Sequence, residues 1–349
     1  MRLLIDGRMI NSSGIGVYIR NVIREFSNRK KIEINVLLYR QEKVTLPDNI
    51  TRVDIDYSQL SLKNVFLLGR VTRKYDVFLC PNMALLPLWK GSCRYISTVH
   101  DLCPVRMRDC FPLYVSMLYW VFIFWQTLNS DKILCISQFT RKELKNYFPF
   151  IKNDKIKIIY NGWARKDKSI CTNNTAPSIR KYGICVGNIK KHKNIIPLVE
   201  YLSGVNLDCD IYIVGDHANF RSKVIDELPT NHSNIIFTGF VSDERLDELY
   251  REAAFFIYPS RYEGFGLPLL EAMAYKLPIL ASDIEVFHEL AGDTIEYFDP
   301  VSFDGLDKKI DIIKNKVQTN NYNKVINLFS WEKTVNEMEW VMNESINDK

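Results

Sequence analysis

The chain has 349 residues, 47% hydrophobic and 25% charged, which excludes a disordered polymer and, at roughly 100 to 200 residues per domain, suggests two domains. A net charge of +5 hides an asymmetry: residues 1–170 hold 28 basic against 14 acidic side chains and the remainder 18 against 27, so +14 precedes −9. The eight cysteines form no C-x-x-C pair and no Cys/His spacing, so reduced thiols are expected rather than a zinc or disulfide framework. The start, MRLLIDGRMI, turns polar too soon for a secretory segment, and a cytoplasmic protein is expected. The basic first half favours an anionic partner, either a lipid surface or a phosphorylated substrate.

In chain order, strands are expected at 2–6, 34–39, 76–80, 94–100 and 132–137, with helices near 15–26, 112–128 and 138–147. After KIIYNG (157–162), the polar and periodless segment 166–181 reads as a linker. The pattern then restarts with strands at 182–187, 209–215, 235–239, 254–259 and 278–282. This is an α/β chain of two doubly wound, Rossmann-like parallel-sheet domains, 1–165 and 182–328, expected to face each other across a cleft. Residues 329–349 are expected to form a helix that packs back toward the first domain. In such sheets ligands sit beyond the carboxyl ends of the strands, at the point where strand order reverses.

The motif that meets this expectation is SRYEGFGLPLLEAMAYKLP, residues 260–278. Glu263 lies in a loop whose Gly264 and Gly266 permit close backbone approach, and Pro268 suits the first turn of a helix, where its missing N–H costs nothing. A helix start attracts phosphate through its amides and dipole. Glu271 could accept hydrogen bonds from a ribose diol and Glu263 from sugar hydroxyls. The competing reading makes Glu271 a dipole complement and Glu263 a solvated turn residue.

The stretch YEGFGLPLLEAMAYKLPILASD resembles the E-x7-E signature of the retaining GT-B glycosyltransferases of family 4 (glycosyl transferases group 1), with Glu263 and Glu271 as its acids. The similarity continues through GFVSDERLDELYREAAFFIYPS, HELAGDTIEYFDP and FSWEKT, and in the first half through GIGVY (14–18), TVHDL (98–102), CISQFTRKEL (135–144) and IIYNG (158–162). It implies a nucleotide-sugar donor, a GDP- or UDP-sugar, held by the C-terminal domain. The acceptor, held by the N-terminal domain, would be a saccharide carried on undecaprenyl diphosphate in bacterial O-antigen or capsule synthesis.

Carried over by position, the resemblance makes Glu271 the ribose-binding acid and Glu263 the acid that touches the donor sugar. Gly264, Phe265, Gly266 and Leu267 match the loop at sugar and diphosphate. In VGNIKKHKN, Gly187 and Asn188 match donor-binding positions, and Lys193 matches the lysine that neutralises the diphosphate. His192 stands where the family usually has arginine, and Lys190 or Lys191 could supply the missing charge. His100 matches a histidine near the reacting sugar, and Gly14, Gly16 and Asp101 fall on the acceptor side. Retention of configuration is implied, with the departing phosphate as base and no cofactor or metal. The D-x-D stretches at 54–56 and 208–210 lie near strands and read as structural.

Three alternatives remain in view. A dinucleotide fingerprint in GIGVYI fails because Ile19 stands where a third glycine is needed. A sugar phosphorylase lacks a pyridoxal-phosphate lysine context. A catalytically silent, glycosyltransferase-like binding subunit is opposed by the presence of Glu263, Glu271 and Lys193. Finally, Cys110–Ser130 holds no charged residue, while 111–128 includes Tyr114, Tyr119, Trp120, Phe122, Phe124 and Trp125. Because this segment lies between strands of one sheet, it is expected not to span a bilayer but to touch an anionic membrane surface from the side, leaving the protein peripheral on the inner face of the cell membrane.

Overall fold

The computed structural model describes residues 1–163, 182–215, 234–315 and 322–347. The expected linker at 166–181 lies outside the described residues. Contacts divide the chain into two units, Met1–Gly162 with Phe329–Lys349, and Trp163–Leu328.

In the first unit the order is β1 (Arg2–Asp6), α1 (Gly14–Ser27), β2 (Glu33–Tyr39), β3 (Ile50–Ile55), α2 (Leu62–Thr72), β4 (Val77–Cys80), β5 (Arg94–Val99), α3 (Cys103–Arg106), α4 (Leu113–Asn129), β6 (Lys132–Cys135), α5 (Gln138–Tyr147) and β7 (Ile156–Ile158). The strands pair in parallel in the order β3-β2-β1-β4-β5-β6-β7. The central strands are apolar runs buried along their length, as VFLC in β4 illustrates, because helices cover both faces of a parallel sheet. Local signals start the helices: Ser137 caps α5 by accepting from the Thr140 N–H at 3.0 Å.

The second unit repeats the plan with β8 (Tyr182–Val186), α6 (Ile195–Ser203), β9 (Asp210–Val214), β10 (Ile235–Gly239), α7 (Asp243–Glu252), β11 (Ala253–Tyr258), α8 (Leu267–Ala274), β12 (Ile279–Ser282), α9 (Glu285–Ala291), β13 (Glu296–Phe298), α10 (Leu306–Ile313) and α11 (Asn323–Ile326). Its parallel order is β10-β9-β8-β11-β12-β13. Ser242 caps α7 through the Arg245 N–H at 3.3 Å, with Asp243 and Glu244 complementing the dipole in the first turn. The last helix, α12 (Trp331–Asn347), belongs to the first unit: Trp331, Val335, Met338, Val341 and Met342 join the core formed by Tyr18, Ile19, Val22 and Phe26 of α1.

Both sheets reverse direction at one junction, β1 beside β4 in the first unit and β8 beside β11 in the second. β3 and β13, each the strand at one edge of its sheet, are not among the strands expected from the sequence. β3 alternates charged and apolar residues and is half exposed, while β13 has only three residues.

Candidate active site

In the second unit the loops that follow β8 and β11 meet at the switch point, the location where doubly wound sheets bind ligands. After β8 the chain forms a single 3-10 turn, Lys191–Lys193. Asn194 then takes the left-handed conformation at φ 58 and donates its side-chain amide to the Pro300 carbonyl at 2.6 Å, a conformation asparagine tolerates better than most residues. After β11 come Ser260 and Glu263, then α8. The two loops are tied together by the Arg261 N–H, which donates to the His192 carbonyl at 2.9 Å.

This brings Lys193 onto Glu263. Its ammonium donates to both carboxylate oxygens, at 2.6 and 2.9 Å, and the Ser260 hydroxyl donates to Oε1 at 2.7 Å. Burial pushes the Glu263 carboxyl up, but Lys193 first and Ser260 after it outweigh burial and hold it below the ordinary value. Glu263 is therefore a carboxylate at neutral pH, with its partner ammonium in place.

Gly266 sits at φ +126, and a Cβ there would lie 3.1 Å from the Phe287 ring. Only glycine makes this turn without strain, and it delivers Pro268 into the first turn of α8. Phe265 is buried, and Gly264 with it. Leu267 opens the helix. Glu271, further along α8, accepts from the Tyr250 hydroxyl at 3.1 Å. Tyr250 is buried and stacks on Tyr275 at 5.0 Å between centroids. Burial, reinforced by Glu271, pushes its hydroxyl well above the ordinary range, so it stays a neutral donor.

Gly187 and Asn188 leave β8 half-buried, and a Cβ on Gly187 would meet nothing closer than Ile195 at 4.0 Å. Among the described residues, no packing inside the unit demands glycine there. Lys190 and Lys191 are exposed, and His192 is half-buried.

The first unit gathers its own cluster at the carboxyl ends of its strands. His100 follows β5, and its Nε2 lies 2.7 Å from the carbonyl of Pro81, which follows β4. A carbonyl only accepts, so Nε2 carries the proton and Nδ1 is left as an acceptor. Burial lowers the imidazole below its usual value despite Pro81 and Asp101, so the ring is neutral at pH 7. Tyr18 of α1 meets it edge-on at 4.8 Å. Asp101 is turned to local structure: its carboxylate accepts from the Cys103 N–H at 2.8 Å, while its carbonyl accepts from the Tyr119 hydroxyl at 3.0 Å. Gly16 has a packing reason, since a Cβ would fall 2.5 Å from the Ile10 carbonyl oxygen, whereas around Gly14 there is open space.

Three of the four aspartates of the two D-x-D stretches are engaged elsewhere. Asp54 pairs with Arg52 at 2.7 Å and Asp56 with Arg40 at 3.1 Å, while Asp208 pairs with Lys314. The seven described cysteines are free thiols. Sequence reasoning assigned no role to Ser260 or Tyr250. Ser260 carried a local signal, three residues before Glu263 at a strand end; Tyr250 lies 21 residues before its partner and carried none.

Comparison with known families decides what this arrangement belongs to. A family model described as Glycosyl transferases group 1 matches residues 170–326, and one described as Glycosyltransferase Family 4 matches residues 12–163. The chain belongs to the GT-B glycosyltransferases. Among relatives of this glycosyltransferase, the O-antigen chain mannosyltransferase RfbU of Salmonella typhimurium strain LT2 is 29% identical over 206 residues, covering 58% of this chain and 56% of the relative. O-antigen chain mannosyltransferase B of Escherichia coli is 28% identical over 240 residues, covering 62% and 60%. The match thus spans little more than half the length of these relatives. Among solved structures, Anabaena Alr3699/HepE in complex with UDP and glucose aligns at a TM-score of 0.75 over 99% of this chain and 100% of that one, at 16% identity, and shares the fold.

Proposed function

We propose that this glycosyltransferase moves a hexose from a GDP- or UDP-sugar to a saccharide acceptor in the assembly of a bacterial surface polysaccharide, an O-antigen or capsule, with retention of configuration and without a metal. The observation that carries the reading is the bidentate Lys193–Glu263 pair beside the α8 helix start, at the switch point of the second sheet. The similarity to O-antigen chain mannosyltransferases supports the class of product.

In this reading the diphosphate of the donor draws the Lys193 ammonium from Glu263, and the α8 dipole adds to the positive field. The ribose diol hydrogen-bonds Glu271, held in place by Tyr250. Glu263, released from Lys193, accepts from hydroxyls of the donor sugar. Transfer breaks the bond between the anomeric carbon and the diphosphate oxygen, and the electron pair leaves with the diphosphate. The acceptor oxygen bonds to the same face of the anomeric carbon, and its proton passes to the departing phosphate. Lys193 and the helix amides stabilise the leaving charge, so a metal is dispensable. Phe265, Gly264, Gly266, Leu267, Gly187, Asn188 and His192 line the donor, and His100, with its neutral ring, hydrogen-bonds the transferred sugar. Gly14, Gly16 and Asp101 shape the acceptor side. We further propose an acceptor carried on undecaprenyl diphosphate, with the protein peripheral on the inner face of the cell membrane.

A thermal-shift screen with GDP-mannose, UDP-glucose and UDP-N-acetylglucosamine tests the donor assignment, because a ligand that binds only the folded state raises the melting temperature. One donor is expected to do so and to be turned over equally well with a chelator present. Failure of all three to shift the transition contradicts the reading, and binding without turnover marks a silent binding subunit instead.

A further inference from the structure

Two side chains with no solvent exposure carry opposite charges at the switch point of the first sheet, where β1 lies beside β4. Asp6 ends β1, and Arg8 folds back on it: Nη2 donates to Oδ2 at 2.7 Å and Nε to Oδ1 at 2.9 Å. The guanidinium thus meets the carboxylate with both arms of its fork. The remaining nitrogen, Nη1, donates to the Tyr57 carbonyl at 3.1 Å, just beyond β3, and to Oδ1 of Asn64 in α2 at 2.9 Å. Asn64, itself buried, donates its amide to the Leu85 carbonyl at 2.8 Å. One guanidinium therefore links the segments that follow β1, β3 and β4.

Such a pair is a poor means of stabilising a fold. Burial alone would weaken the Arg8 charge, but Asp6 outweighs it and raises the guanidinium above its ordinary value. Taking two ions out of water is so costly that apolar residues of similar volume often leave a protein as stable or more so. An apolar core is at hand: burial first, and Asp6 after it, push the Cys80 thiol upward, and Cys80 belongs to the cluster of Leu4, Leu37, Leu68 and Leu86. What the ions add is direction. Among the described residues, those from Pro81 to Cys93 belong to no helix or strand, so side-chain anchors set their course. Asn64 holds Leu85, Trp125 donates to the Leu86 carbonyl at 2.7 Å, and Gln126 donates to the Asn82 carbonyl at 3.1 Å while accepting from the Ala84 N–H at 3.3 Å. The connection begins at Pro81, whose carbonyl accepts from Nε2 of His100 at 2.7 Å and so sets the tautomer of that ring.

We infer that the Asp6–Arg8 pair is a positioning device for the acceptor half of the site. Through Asn64 and Leu85 it holds the connection after β4, and with it the carbonyl that keeps the proton of His100 on Nε2 and leaves Nδ1 to accept. The consequence for transfer rests on the role proposed above for His100; the coupling from Arg8 to His100 does not.

The test is Asp6→Leu with Arg8→Met, which exchanges both ions for apolar groups and leaves neither charge alone. It is read from the ring nitrogen resonances of the full chain labelled with 15N-histidine. His100 is one of five histidines, and His100→Gln assigns its signal. Wild type is expected to show His100 as a single neutral tautomer protonated on Nε2. In the double variant the melting temperature should be unchanged or higher, while His100 populates both tautomers and turnover at saturating donor falls roughly 10- to 100-fold. The rise in melting temperature caused by the donor should persist. Asn64→Leu keeps the ion pair and cuts only the link to Leu85; it should release His100 in the same way and add little in the double-variant background. If the double variant does not fold, Asn64→Leu decides alone. A His100 signal still confined to one tautomer in either folded variant overturns the inference and makes the pair purely structural. A wild type that binds no donor, with His100 released in the variants, would defeat the proposed function and leave the coupling standing.

Discussion

The Lys193 ammonium lies 2.6 and 2.9 Å from the two carboxylate oxygens of Glu263, joining the loop after β8 to the loop after β11. This pair stores, within one unit, both the cation proposed for the diphosphate and the acid proposed for the sugar. Replacing Lys193 with Met leaves the buried carboxylate without its strongest counterweight. The expected loss is about 1 to 3 kcal/mol of stability at neutral pH, with donor binding lost as well. The sign with pH follows from the two environments. In wild type the Glu263 carboxyl is held below its ordinary value, so its stabilisation is full above the ordinary carboxylate range and is lost as pH falls through the lowered value. In the variant burial dominates and raises the carboxyl, so the stability gap to wild type should narrow on acidification. Denaturant melts at neutral and mildly acidic pH read this directly.

The two glutamates are expected to fail differently. Glu263→Ala should lower kcat by roughly 100-fold or more, the scale of losing one transition-state contact, with a modest change in donor KM. Glu271→Ala should raise donor KM by about 10- to 100-fold, the equivalent of a charge-assisted hydrogen bond, with kcat within a few-fold. Steady-state kinetics with the donor varied separates the two, and wild-type turnover in the Glu263 variant would contradict its role.

Tyr250 is a positioning residue for Glu271. Tyr250→Phe keeps the ring that stacks on Tyr275 and removes only the hydroxyl that donates to Glu271 at 3.1 Å. Donor KM should rise by roughly 3- to 10-fold at unchanged kcat, and in the Glu271→Ala background the substitution should add little. An equal KM effect in both backgrounds would assign Tyr250 a purely structural part.

Two glycines should respond in opposite ways. At Gly187 a methyl group meets nothing nearer than 4.0 Å among the described residues, so Gly187→Ala should fold with an unchanged melting temperature yet bind donor more weakly, because the methyl occupies room proposed for the ligand. At Gly266, φ +126 and the 3.1 Å approach to Phe287 should make Gly266→Ala cost about 1 to 3 kcal/mol of stability. Paired melting and donor-binding measurements on the two variants check this.

Much of this was legible in the sequence because the relevant signals are local. Apolar runs such as VFLC and AAFFIY marked buried parallel strands, and Gly266 followed by Pro268 marked the α8 start from residue type alone. β3 escaped because an edge strand need bury only one side, and its alternation of Arg52 and Asp54 with apolar residues reads as polar connection. At the site, Lys193 and Glu263 were each identifiable, but their mutual contact spans 70 residues and is produced by strand order rather than by spacing. The same holds for Tyr250 on Glu271 and for the Pro81 carbonyl on His100. Asp101 and Gly16 turned out to have sufficient local reasons, a helix-start hydrogen bond and a close backbone contact. On α4, the uncharged stretch was plain in the sequence, but which face it turns outward depends on Gln126 reaching Asn82 and Ala84, a tertiary contact.

The most direct test of the central claim is a crystal structure of the protein with the nucleotide sugar that most raises its melting temperature. The account predicts the Lys193 ammonium moved from Glu263 to the diphosphate, Glu271 on the ribose with Tyr250 still behind it, and Glu263 on hydroxyls of the sugar. A donor bound elsewhere, with the Lys193–Glu263 pair intact beside a vacant switch point, would contradict it.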